Sequence, residues 1–155
     1  KVAGLPALWN VVGLPENGGG RTKWGARVEA IWAWKNELPA TYPDDVFYGK
    51  IPGGLAVLMD MEHLRSQHYP ATHKSISSCR SLAQNVFGII RLDPAETSEI
   101  RAIAIDRHSC SKGQFHTVMK QLQITLNIAR DPQVGTGKDR WLPFREICSD
   151  FPEVT

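Results

Sequence analysis

The apolar positions of this chain follow two rhythms, helical spacing of three and four and strand-like alternation, separated by short Gly- and Pro-rich stretches. KWGARVEAIWAWKNELP, residues 23–39, places Trp24, Val28, Ile31, Trp32 and Leu38 on one face, which predicts an amphipathic helix ended by Pro39. Trp32 and Trp34 read as core and edge packing rather than as base-stacking platforms. VFYGKIPGGLAVLMDM, residues 46–61, reads as a β-hairpin with strands Val46 to Ile51 and Leu55 to Met59 about a Pro52-Gly53-Gly54 turn. MEHLRSQHY, residues 61–69, is a short helix closed by Pro70. The polar ATHKS, residues 71–75, marks a boundary between subdomains 1–74 and 75–155. Upstream, LPALWNVV, residues 5–12, suits a strand or a helical turn. PENGGGRT, residues 15–22, is a loop without the lysine and spacing of a phosphate loop.

The second half changes rhythm. SISSCRSLAQNVFGIIRL, residues 75–92, places Cys79, Leu82, Ala83, Val86 and Ile90 on one face, with Ser at its start. Asp93-Pro94 breaks it. TSEIRAIAID, residues 97–106, is a second helix with Thr97 or Ser98 as cap and Ile100, Ile103 and Ala104 inward. After the RHSCSKG turn, SKGQFHTVMKQLQITL, residues 111–126, carries a third stripe of Phe115, Val118, Met119, Leu122 and Leu126. NIARD, a Gly-rich turn and WLPF then predict a second hairpin. Helix, helix, turn, helix, strand, turn, strand is the order of a winged helix-turn-helix. The expected class is therefore α+β: three helices plus a β-hairpin, preceded by an N-terminal helix and β-hairpin subdomain.

Charge sharpens this picture at one place. The net charge of +2 implies no polyanionic partner by itself. From Arg107 to Arg130, however, 24 residues pass without Asp or Glu while four Lys or Arg and two His occur. A carboxylate on the outer face of a recognition helix would repel phosphates, whereas Lys and Arg release counterions. The residues expected to contact double-stranded DNA are Lys112, Gln114, His116, Thr117, Lys120 and Gln121 on the third helix, Arg130 on the strand, and Lys138 and Arg140 on the wing. Ile124 also falls on the outer face, which DNA contact does not account for.

Other chemistry is thinner. Lys35 and Glu37 are the candidates for a hidden activity, against the plainer reading of a surface pair. His63, His68 and His73 recur at fives and do not share a helix face, and His108, Cys110 and Cys148 lack paired ligand spacing. No metal or cofactor is expected. Three widely spaced cysteines suit a reduced, cytoplasmic protein. No run approaches the ~20 apolar residues of a membrane helix, and the start is too broken by Gly and Pro for a signal peptide.

WAWKNELP, residues 32–39, followed by FYGK, residues 47–50, resembles a "WxWKDELP … YGK" pattern of uncharacterised relatives of the AlkZ-like DNA glycosylases. That family consists of tandem winged-helix proteins that repair alkylated and crosslinked DNA. PAETSEIR, residues 94–101, then FHTVMKQLQ, residues 115–123, a basic strand and a tryptophan look like its C-terminal winged helix. The likeness is spread over roughly residues 5 to 150, and only the WKNELP stretch is specific. The resemblance implies DNA binding and a link to repair. The family's catalytic Gln-apolar-Gln motif lies near the N-terminus. Here Gln121-Leu122-Gln123 occurs late, with Leu122 a core residue, so the catalytic role is not carried over. The leading expectation is a non-catalytic DNA-binding protein of repair or regulation. The alternatives are a glycosylase-like enzyme acting on alkylated bases and a protein-interaction module that self-associates as a homodimer.

Overall fold

The computed structural model describes residues 19–21, 25–134 and 137–151. The stretch 5–12, Trp24 and most of the Gly-rich loop lie outside the described residues. The class is α+β with two small antiparallel sheets. Helix α1 (Ala26–Thr41) leads into a hairpin of β1 (Val46–Lys50) and β2 (Ala56–Asp60), in register from Val46 opposite Asp60 to Lys50 opposite Ala56. Pro39 does not end α1. It occupies the last turn, and the chain stays helical to Thr41.

The short helix after the hairpin also runs past its expected end. α2 (Met61–His63) opens with the Asp60 carboxylate accepting from the backbone N–H groups of Glu62 and His63. A π-helical turn, Leu64–His68, and α3 (Tyr69–Thr72) follow directly. Pro70 falls where the π-helical turn gives way to α3, so the helical run passes through it to Thr72.

Helices α4 (Ser81–Leu92), α5 (Thr97–His108) and α6 (Lys112–Ile124) bury the stripes their spacing predicts. Ala83, Val86, Ile90, Ile100, Ala104, Phe115, Val118, Met119 and Leu122 form one core with Ile128 and Trp141. Ser111 caps α6 reciprocally with Gln114: each side chain takes the other residue's backbone N–H, at 3.1 and 2.8 Å. The caps expected on α4 and α5 differ. Arg80 occupies the N-cap of α4, and Glu96 that of α5, with the Glu99 carboxylate accepting from the Glu96 N–H. Thr97 instead accepts the indole N–H of Trp141 at 2.8 Å.

The second sheet has the order β3-β5-β4, with β5 (Arg140–Pro143) between β4 (Ile128–Arg130) and a two-residue β3 (Ala95–Glu96). Leu126, buried and left-handed at φ 56°, turns the chain from α6 into β4. Helix α7 (Phe144–Ile147) closes the described chain.

A second core joins the two halves. Phe47, Ile51, Met59, Leu64 and Tyr69 pack with Leu126, Ala129, Phe144, Cys148 and Phe151. Tyr69 stacks on Phe144 at 5.3 Å between ring centres, and Phe151 meets both rings edge-on. The ATHKS stretch between the halves is tied down as well. Lys74 N–H donates to Thr125 O, and Asn127 Nδ2 donates to Lys74 O at 3.0 Å. No helix among the described residues is long and apolar enough to cross a membrane.

Candidate nucleic-acid interface

Helix α6 presents Lys112, Gln114, His116, Thr117 and Lys120 to solvent while Phe115, Val118, Met119 and Leu122 face the core. The reciprocal cap with Ser111 fixes its first turn, although it also engages the Gln114 side chain. Thr117 donates its hydroxyl to Gly113 O at 3.0 Å. Gln121 is only half-exposed, and its Oε1 is buried without a hydrogen-bond partner among the described residues. Ile124 is half-buried rather than outward.

Hairpin β1–β2 flanks the last turns of α6. A Cβ at Gly54 would lie 2.3 Å from Lys120 Cε and 2.6 Å from its Nζ, so the amine end of the lysine rests on the hairpin turn where no side chain intervenes. Between hairpin, α6 and the second sheet lies a cleft of about 440 Å³. His116, Lys120 and Gln123 line it from α6, Tyr48 and Lys50 from β1, and Asp139 and Trp141 from the opposite wall.

Arg130 requires correction as a DNA contact. It is 8% exposed, and its guanidinium is engaged inside the protein. Nε lies 2.8 Å from Asp139 Oδ1, and the guanidinium donates to Asn36 Oδ1 and, at 3.3 Å, to Lys35 O. It also sits 5.3 Å from the Tyr48 ring centre. The arginine fork reaches acceptors on two separate segments, Asp139 and the Lys35 and Asn36 stretch of α1, which offsets part of the cost of burying its charge. The wing residues are likewise partly committed. Arg140 pairs with Asp131 at 3.0 Å, whereas Lys138 is 80% exposed and only loosely near Glu96 at 3.9 Å.

Trp32 departs from its expected core position. It is 59% exposed, and the Lys35 ammonium lies 3.8 Å above its ring. Trp34 is exposed too. α1 packs on β1 and on the 3₁₀ turn Pro132–Val134, a support too narrow to cover every aromatic the helix carries. Burial, then the positive charge of Arg130, depresses the Lys35 pKa. The Tyr48 phenol is raised, chiefly by burial. Lys35 and Glu37 do not line the cleft.

Among the described residues no group of three or more His, Cys, Asp or Glu side chains could hold a metal ion. Cys79, Cys110 and Cys148 are free and buried. The interior of the cleft escaped sequence reading because its walls come from β1 and from residues some seventy to ninety positions later. Comparison with protein-family models, with curated proteins and with solved structures returned no match.

Proposed function

We propose that the chain is a winged helix-turn-helix protein that binds double-stranded DNA without catalysing a reaction on it. Support for the fold reading comes from the order α4-β3-α5-α6-β4-β5, with the three-residue turn Ser109–Ser111 between α5 and α6 and strands β4 and β5 forming the wing's base. The observation that carries the function is the exposed face of α6. Lys112, His116, Thr117 and Lys120 stand there with no carboxylate on the helix. Recognition helices meet base edges with their N-terminal residues, and Lys112, His116 and Thr117 are exposed in the first two turns of α6. Gln114, although engaged in the cap, stands beside Lys112 at that end. Lys138 extends the cationic surface across the wing. Arg130 leaves the contact set, and Arg140 enters it only after releasing Asp131.

Fluorescence anisotropy on a labelled duplex at low and high salt tests this reading. Binding that weakens steeply with salt, and that Lys112→Glu with Lys120→Glu removes while helicity persists, supports it. Affinity indifferent to salt defeats it.

A glycosylase-like activity has less support. An enzyme of that kind needs a group to activate water at the damaged nucleotide, and among the described residues the only acid lining the cleft is Asp139, already paired with Arg130. An interaction module is favoured only by the exposed Trp34 and Trp32.

A further inference from the structure

Two lysines without an acidic partner among the described residues converge on one concavity. Lys50, at the end of β1, and Lys120, on α6, both line the 440 Å³ cleft. Among the described residues the lining holds three cations, Lys50, Lys120 and Arg130, against one carboxylate, Asp139. Asp139 is matched by Arg130, so the charges of the two lysines are left over. Two cationic side chains on the lining of one semi-enclosed space, with no carboxylate to spare there, favour an anion over a neutral guest.

The remaining wall is chemically different. Phe47, Met119, Ile128, Ala129 and Trp141 supply an apolar surface. Gly49 lets the Phe47 ring lie against the strand. A Cβ there would lie 2.4 Å from the Phe47 ring, so no side chain projects from that position of the strand. The Thr97 hydroxyl, whose lone pair takes the Trp141 N–H, retains its own proton as a donor towards a ligand. The volume falls within the ~300–1,000 Å³ of small-molecule sites, which combine mostly apolar linings with a few placed polar groups.

We propose that this cleft binds a small, flat aromatic phosphate monoester. Its ring lies on the Met119 and Trp141 wall, and its phosphate sits between Lys50 and Lys120. A monoester matches two ammonium groups because it carries about −1.5 to −2 charges at neutral pH, and lysine serves phosphate as a point charge. Binding in the cleft does not depend on the DNA reading.

Isothermal titration of the full chain with 1-naphthyl phosphate tests the proposal, with 1-naphthol and inorganic phosphate as the two halves of the probe. The intact ester should bind at least about tenfold more tightly than either half, and Lys50→Gln or Lys120→Gln should each weaken it by about tenfold. Ala56→Trp, an exposed hairpin position lining the cleft, should abolish binding by filling the space. If that variant does not fold, the Lys50→Gln, Lys120→Gln pair supplies the same test, with circular dichroism reporting an intact fold. Absence of saturable binding overturns the proposal. So does binding that survives both lysine changes.

Discussion

Arg130 and Asp139 form an ion pair that is buried on one side only: the arginine side chain is 6% exposed, the aspartate 45%. The two ends of this pair should therefore respond unequally to mutation. Asp139→Asn removes the carboxylate paired with a buried cation and should cost about 2–3 kcal/mol, although Asn36 and Lys35 O still accept from the guanidinium. Arg130→Met leaves a carboxylate that can turn to water, and should cost less. Urea melts of the two variants check the order; the reverse order would contradict this account.

The salt dependence of the proposed duplex binding should be set by the cations that the fold leaves free. With Arg130 buried and Arg140 paired, the cations free to meet phosphates near α6 and the wing are Lys50, Lys112, Lys120 and Lys138. A slope of about −0.9 per phosphate contact then gives a log–log slope of about −3.6. Lys112→Gln should reduce its magnitude by about 0.9, whereas Arg130→Met, measured where it remains folded, should leave it unchanged. 1-Naphthyl phosphate should also compete with the duplex for Lys120, and the competition should vanish in Lys120→Gln.

Gly54 combines a φ of +88° with the close approach of Lys120. Gly54→Ala should cost about 1–2 kcal/mol from the left-handed backbone alone, with a lower thermal midpoint. Adding Lys120→Ala should recover little of it, because the clash is with the flexible end of a side chain whereas the backbone strain persists. Full recovery in the double variant would place the cost in the clash instead.

Two histidines make stability fall on mild acidification. His73 stacks on Tyr69 at 4.5 Å and lies with Nδ1 3.1 Å from Thr125 O. Burial depresses its pKa, as it does that of His68. A histidine with a folded pKa below the unfolded value of about 6.5 binds fewer protons folded than unfolded in that window. Its contribution is complete above the unfolded pKa and lost as pH falls through it towards the folded one. Denaturation midpoints should therefore drop below about pH 6.5, and His73→Gln should flatten part of that slope.

Burial pushes the Cys148 thiol up to about 12, and the nearby Asp150 carboxylate adds to the effect. With Cys79 and Cys110 also buried, iodoacetamide should label none of the three in the native protein at neutral pH and all three in denaturant. Native labelling of Cys148 would show that its pocket opens.

The helical stripes were legible because each helix buries one continuous face: Phe115, Val118, Met119 and Leu122 reveal α6 at spacings of three and four. The β1–β2 hairpin announced itself through Pro52-Gly53-Gly54 between apolar runs. Arg130 could not be read correctly, since what buries it is Asn36 and the Lys35 carbonyl, ninety-four and ninety-five residues away. β3 was missed because two residues carry no period. Its existence depends on β5 offering an edge to Ala95 and Glu96. Trp32 was misplaced because helical spacing records which side chains share a face but not whether enough protein lies opposite to cover them.

The aromatic cluster of Phe47, Tyr69, Phe144 and Phe151 anchors the base of β1 to the far end of the chain. The two sides of the lysine-mouthed hollow are thus riveted together at their root. If it takes a ligand as proposed, such a receptacle should act as a mould rather than a jaw, selecting guests by outline on arrival and not by a closing movement.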